Sequence, residues 1–204
     1  LQPDGVVLRS EGRNRQLEGL EDETGVWFGE VPDQIEFDEF GVRFSVQPGE
    51  GQKTGHFFDQ AENRSFAGKL CAGRSVLDVY ANSGGWALHA LKHGADYAIT
   101  IDKAPLNAQR AEENARINGF EDKLEAHTAE GRKTLIDMLE QNMRFGAVVL
   151  DPPAFAKTRK AAGSALRGYH EINKIGLCLV EPGGFLFTSS CSFHVQEERY
   201  VNVI

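Results

Sequence analysis

Hydrophobic and polar positions follow two different rhythms along the chain, and the change falls near residue 65. Before it, apolar runs at Val6-Val7-Leu8, Val26-Trp27-Phe28, Ile35-Glu36-Phe37 and Val42-Arg43-Phe44-Ser45-Val46 are separated by Gly, Pro and Asp clusters. Period-two runs bounded by turn residues predict strands joined as hairpins. Val42, Phe44 and Val46 share one face, Arg43 and Ser45 the other. Residues 1–65 are therefore expected to form a small antiparallel β subdomain. It is too short to enclose a large core and is expected to pack on the remainder of the chain.

From residue 66 the rhythm lengthens. Apolar runs at Ser75-Val79, Tyr97-Ile101, Leu124-His127, Ala147-Leu150 and Gly184-Thr188 alternate with helical periods over 84–93, 105–118, 132–142, 165–180 and 195–204. The helix at 105–118 opens on Pro105, suited to a first helical position, and closes at Asn118-Gly119, a C-terminal stop. Buried strands alternating with helices predict a parallel sheet covered on both faces. Residues 66–204 are thus expected to form a doubly wound, Rossmann-like α/β core. In such sheets ligands bind beyond the carboxyl ends of the strands, where the strand order reverses.

Chemistry-bearing residues cluster at those ends. The first core strand runs into Asp78 and then Ala81-Asn82-Ser83-Gly84-Gly85, where glycines permit a tight turn and let a ligand approach bare backbone. A plain strand-to-helix turn capped by Asn82 or Ser83 is the equally weighted structural reading. The spacing is not G-x-G-x-x-G, so the dinucleotide fingerprint is missing and a nicotinamide oxidoreductase is disfavoured. Asp102 ends the next strand, about where a carboxylate holds a ribose diol, although alone it would also serve as a cap for the helix at Pro105. Glu130, after the third strand, is placed either to recognise an adenine amine or as a solvated residue of a first helical turn. Asp151-Pro152-Pro153-Ala154-Phe155 follows the fourth strand, and its consecutive prolines fix a rigid loop. Asp151 there can hydrogen-bond the polar edge of a flat base. Cys191 ends the fifth strand among small polar residues, where a thiolate nucleophile is plausible. Cys71 and Cys178 read as buried small hydrophobes, Cys178 on an apolar helix face with Ile175 and Leu179.

Composition narrows the class without deciding it. Across 204 residues, 22 Lys and Arg face 30 Asp and Glu, a net charge of -8 that argues against an overall basic, nucleic-acid-coating surface. A local basic run remains: Lys157, Arg159, Lys160, Arg167 and Lys174 follow the Asp-Pro-Pro loop, with Glu171 the acid among them. Phosphate contact there is at least as well supported as a solvated loop, and Lys53 and Arg64 would add to it. Three widely spaced cysteines indicate a reduced, cytoplasmic protein without disulfides, and no histidine spacing suits a metal. No run is long and apolar enough for a membrane span. His194, near Cys191, reads as a helix-entry residue in preference to a partner of the thiol.

Together, Asp78 to Gly85, Asp102, Asp151 to Phe155 and Ser190-Cys191-Ser192 resemble class I S-adenosylmethionine-dependent RNA methyltransferases. The run from Gly51 through Gln52-Lys53-Thr54-Gly55-His56-Phe57-Phe58-Asp59-Gln60-Ala61-Glu62-Asn63-Arg64 is similar to the segment preceding the core in the bacterial 23S rRNA 5-methylcytosine methyltransferases. The resemblance implies S-adenosylmethionine as cofactor. It places Phe57, Asp59, Gln60 and Arg64 at the border of the cofactor pocket, Asp78, Ala81, Asn82 and Gly84 in the glycine loop, and Asp102, Lys103, Glu130 and Asp151 at the other strand ends. It implies 23S rRNA as partner, with Lys53, Pro152, Pro153, Phe155, Lys157, Arg159 and Lys160 facing the substrate. The oligomeric state stays open between monomer and homodimer. The family also carries an N-terminal PUA-type RNA-binding module and two strands after the helix at 195–204. Neither is in this sequence, which begins at Leu1, so a central piece of a longer protein is expected. His56 replaces a common aromatic and Ala154 a common Lys.

The chemistry implied is covalent. Carbon-5 of cytosine is a poor nucleophile, and thiolate addition at carbon-6 divides a hard step into easier ones. The resemblance assigns the thiolate to Cys191 and leaves Asp151 to hold the N3/N4 edge. Two other readings stay open: methylation of a base nitrogen, such as a guanine amine, and a non-catalytic RNA-binding or assembly module with a vestigial pocket.

Overall fold

The computed structural model describes residues 2–49 and 55–204. Its elements in chain order are β1 (Gly5–Ser10), α1 (Arg13–Leu17), β2 (Glu23–Gly29), β3 (Ile35–Glu39), β4 (Val42–Val46), α2 (Ala61–Lys69), β5 (Ser75–Val79), α3 (Gly85–Lys92), β6 (Tyr97–Asp102), α4 (Pro105–Ile117), β7 (Leu124–Thr128), α5 (Gly131–Glu140), β8 (Phe145–Leu150), α6 (Ala162–Leu179), β9 (Val180–Thr188) and α7 (Glu197–Val201). Strands β5 to β9 form one parallel sheet in the order β7-β6-β5-β8-β9. The chain leaves β5 toward β6 and β7, then returns to the other side of β5 as β8. That reversal opens the crevice between the loops after β5 and β8.

Every residue of β8 is buried, as a central strand covered on both faces requires. On one face Leu77, Val79, Val148 and Leu150 pack with Leu135 of α5 and Tyr169, Ile172 and Leu179 of α6. On the other Val76 and Ala147 meet Ala87, Leu88 and Leu91 of α3 and Ala111 and Ala115 of α4. Val42 and Phe44 of β4 join this second layer with no exposed surface.

The N-terminal β region is two separate hairpins, β1-β2 and β3-β4. The β3-β4 hairpin packs on the core through α4. Asn118 Oδ1 accepts the Arg43 amide at 2.9 Å while its Nδ2 donates to the Arg43 carbonyl at 2.7 Å. Asn114 Oδ1 accepts the Ser45 amide at 2.9 Å. Two asparagines thereby satisfy an edge strand that would otherwise leave unpaired backbone groups. This inward hydrogen bonding also buries Ser45, which the alternation had put on the outer face. The β1-β2 hairpin keeps Val26, Trp27 and Phe28 largely exposed. Helix α2 runs continuously across residue 65.

One cysteine departs from expectation. Cys71 is buried, but Cys178 is exposed. Helix α6 turns Tyr169, Ile172, Gly176 and Leu179 inward. At 100° per residue Cys178 falls on the opposite side, with the exposed Arg167, Glu171 and Lys174. Among the described residues, no helix is long and apolar enough to cross a membrane.

Candidate active site

The loop after β5 is built from left-handed backbone. Tyr80, Asn82 and Gly84 have φ of 68°, 49° and 78°, which is strained for the two side-chain-bearing residues. The surroundings hold it there. Tyr80 and Ala81 donate to the Ile101 carbonyl at 2.8 and 3.1 Å, Gly84 to the Ala81 carbonyl at 2.8 Å, and Asn114 Nδ2 to the Ser83 carbonyl at 3.2 Å. At Gly84 a Cβ would lie 3.0 Å from Ala111, and at Gly131 it would strike the Tyr80 ring at 2.7 Å. Burial pushes the Tyr80 phenol up to about 12.

Two carboxylates, Asp78 and Asp102, line this side of the crevice. Asp78 is fully buried; its Oδ2 accepts the Ala87 amide at 3.2 Å, and its Oδ1 has no hydrogen-bond partner among the described residues. Burial pushes its pKa up from 3.8 to about 7, opposed by the Ala87 amide and reinforced by the negative charge of Asp151 and Asp102. Asp102 is half-buried and accepts the Asn82 amide at 2.9 Å and the Ala104 amide at 3.0 Å. Its carboxylate ties the glycine loop to the start of α4 and retains lone pairs for a ligand. Glu130 is exposed and caps α5, accepting the Arg132 and Lys133 amides at 3.2 and 2.7 Å.

Asp151 stands across the crevice. Its Oδ2 accepts the Trp86 indole N–H at 3.2 Å, and its Oδ1 accepts the Ser189 hydroxyl. Pro152 is buried, Pro153 exposed and Phe155 half-buried. Phe155 has one face stacked on Tyr169 at 4.5 Å, so that face is closed to a substrate base. Cys191 is exposed near the start of the loop after β9, its thiol donating to the Pro152 carbonyl at 3.7 Å. The two loops are joined beneath it, where Ser192 Oγ accepts the Ala156 amide at 3.1 Å and meets Tyr169 Oη at 2.8 Å. Phe193 is 94% exposed, with His194 edge-on to its ring at 5.4 Å. Lys157, Arg159 and Lys160 are exposed beyond the Asp-Pro-Pro loop, as is Lys103 after β6.

The segment before α2 supplies the floor. Arg64 is 4% exposed and grips Glu39 through two bonds at 2.9 and 2.8 Å, while donating to the Phe57 carbonyl at 3.0 Å. His56 Nε2 and His89 Nε2 lie 2.8 and 3.0 Å from the same carboxylate. A Cβ on Gly85 would touch Arg64 at 2.9 Å. Arg64 therefore underpins the glycine loop, and the expectation that it contacts phosphate fails because its guanidinium is buried on Glu39. Asp59 is exposed, and Gln60 accepts the Asn63 amide group at 2.8 Å. Lys53 lies outside the described residues. Sequence reasoning passed over Glu39, His89, Trp86, Ser189 and Phe193; for Trp86 the available signal was an aromatic with a polar N–H directly after a glycine turn.

The residues themselves indicate the ligand that fits. A buried carboxylate with a partnerless oxygen and two more acids beside it favour a cation, while bare backbone at Gly84 and the acid ending β6 suit a nucleoside. A nucleoside bearing a sulfonium, as in S-adenosylmethionine, meets both demands. The family model for S-adenosylmethionine-dependent methyltransferases matches residues 9–195. Ribosomal RNA large subunit methyltransferase I of Shewanella denitrificans is 36% identical over 201 residues, covering 98% of this chain and 51% of that protein. Its namesake in Aliivibrio fischeri is 39% identical over 189 residues, covering 92% and 48%. The chain thus spans about half the length of the curated relatives it matches. Among solved structures, the SAM-dependent methyltransferase from Agrobacterium tumefaciens aligns with a TM-score of 0.70 at 14% identity, over 99% of this chain and 79% of that one. A Streptococcus mutans structure assigned as a SAM-dependent methyltransferase reaches 0.79 at 19% identity, over 89% and 48%. These two likenesses give the class I fold. With the family match running from β1 to the loop beyond β9, and so through every strand end described above, the chain belongs to the S-adenosylmethionine-dependent methyltransferase family.

Proposed function

We propose that the protein methylates carbon-5 of a cytosine in 23S ribosomal RNA, with Cys191 as nucleophile. The observation that carries this reading is the exposed Cys191 thiol beside the Asp151 loop, the two loops being tied through Ser192. The names of the relatives support ribosomal RNA of the large subunit as the substrate class. S-adenosylmethionine, when bound, supplies an electrophilic methyl group on its sulfonium. Asp78, Asn82, Gly84 and Asp102 would hold it, with Arg64 beneath the loop. Addition of the Cys191 thiolate to carbon-6 makes carbon-5 enamine-like and nucleophilic; once carbon-5 carries the methyl group, a base removes the carbon-5 proton and the carbon-6–sulfur bond breaks, returning the thiolate. Asp151 accepts from the N4 amino group, and a proton held between its carboxyl and N3 offsets the negative charge that builds on the ring as the adduct forms. The target base leaves its stack to enter. Lys157, Arg159 and Lys160 contact phosphate, and the uncovered Phe193 ring offers a stacking surface for a neighbouring base.

The test uses full-length protein, labelled S-adenosylmethionine and unmodified 23S rRNA, followed by nucleoside mass spectrometry. Wild type is expected to form 5-methylcytidine, and Cys191→Ala to lose at least about a hundred-fold in rate with cofactor affinity unchanged. A methylated guanosine, or a fully active Cys191→Ala, would replace this reading with nitrogen methylation. Failure to bind S-adenosylmethionine would leave the non-catalytic module.

A further inference from the structure

Asp151 is unusual among the acids of the crevice because side chains, not backbone amides, hold both of its oxygens. Trp86 Nε1 donates to Oδ2 at 3.2 Å, and the Ser189 hydroxyl donates to Oδ1. Each donor is itself fixed. Trp86 is the second residue of α3, two positions after the left-handed Gly84, and is half-buried. Ser189 is anchored at both ends of its peptide unit: its amide donates to the Leu150 carbonyl at 3.0 Å, and its carbonyl accepts from Tyr200 Oη at 2.9 Å. Tyr200 Oη also lies 2.6 Å from Thr188 Oγ1. A carboxylate offers about four acceptor positions, so two remain for a base edge. The direction they face is set by the two that are taken.

We infer that Trp86 and Ser189 are positioning residues that aim the Asp151 carboxylate at the substrate base, Trp86 doing so from the helix that begins at the glycine loop. The cofactor seat and the base-binding acid are then one hydrogen bond apart. This rests on the assignment of Asp151 as the acid that holds the base. It also gives a role to a tryptophan whose aromatic body alone would be satisfied by phenylalanine.

Trp86→Phe keeps the ring and removes the N–H; Ser189→Ala removes the other donor. In the full-length protein each is expected to lower kcat/KM for RNA about ten-fold, the scale of a hydrogen bond to a charged group. The affinity for S-adenosylmethionine is expected to stay within about two-fold and the melting temperature within a few degrees. Asp151→Asn, measured alongside, is expected to lose more than either. If Asp151→Asn is impaired while Trp86→Phe and Ser189→Ala match wild type, the inference falls and the functional reading stands. A fall in Trp86→Phe activity that follows a parallel loss of cofactor affinity also overturns it, since Trp86 would then be a packing part of the loop. Full activity in Asp151→Asn sinks the functional reading and this inference with it.

Discussion

Asp78 illustrates how far a single residue can be read from sequence. Its place at a strand end before a glycine turn was legible, because strand periodicity and turn composition fix position along the chain. Its isolation was not, because that depends on which elements close over it. In the folded protein its pKa lies near 7, whereas the unfolded chain releases this proton near 3.9. Stability therefore falls as pH rises between those values and is unaffected below them. Asp78→Asn removes the buried charge, so it is expected to raise stability at pH 8 by on the order of 4 kcal/mol and to match wild type below pH 4. Urea denaturation at the two pH values checks this. The same variant is expected to bind S-adenosylmethionine more weakly by isothermal titration calorimetry, because an ionised Asp78 is what favours a cation. Stabilisation gained at a functional site commonly carries such a loss. The misplacement of Cys178 has a similar origin: an apolar neighbourhood in sequence does not say which side of a helix meets the sheet.

At the scale of elements, the parallel sheet was the most legible part, since its five strands and the helices between them carry long, consistent periods. The attachments were least legible. Nothing in local pattern announces that Glu39, ending β3, will face Arg64 of α2, His89 of α3 and His56 in one buried node. These residues are separated by up to 50 positions, so their meeting is a property of packing alone. Burial pushes Glu39 up, but hydrogen bonds from His56, His89 and Arg64 outweigh it and hold the carboxyl well below the usual carboxylate range. Its contribution to stability is therefore fully present at neutral pH and is lost on acidification, as pH falls from the unfolded value through the folded one. Glu39→Ala strands a buried guanidinium and is expected to cost about 3–5 kcal/mol, read as a lower urea midpoint at pH 7. Wild type and variant should converge in strong acid. Because Arg64 floors the glycine loop, cofactor affinity should drop with it. A Glu39→Ala protein as stable as wild type would show that β3-β4 is held without this node, by Val42, Phe44 and the bonds from Asn114 and Asn118.

Over the whole molecule, the proposed function asks an acidic chain to hold an acidic polymer. Glu171, the acid within the basic run, pairs with Arg132 through bonds of 3.2 Å, so its charge is partly neutralised from a neighbouring helix. Lys157, Arg159 and Lys160 are left as a local positive field beside the site. Replacing any one of them by Ala is expected to weaken RNA binding for every sequence tested and to reduce the salt slope by about 0.7, the value for one phosphate contact on a single strand. Filter binding across a salt series measures it, and an unchanged slope would place the phosphate contacts elsewhere. The molecule's two tryptophans also sit in contrasting settings. Trp27 is 74% exposed on the β1-β2 hairpin, while Trp86 is bonded to Asp151. Within these 204 residues Trp27→Phe therefore leaves one source of tryptophan emission, the indole bonded to Asp151. Its emission becomes an optical reading of that contact without any attached dye.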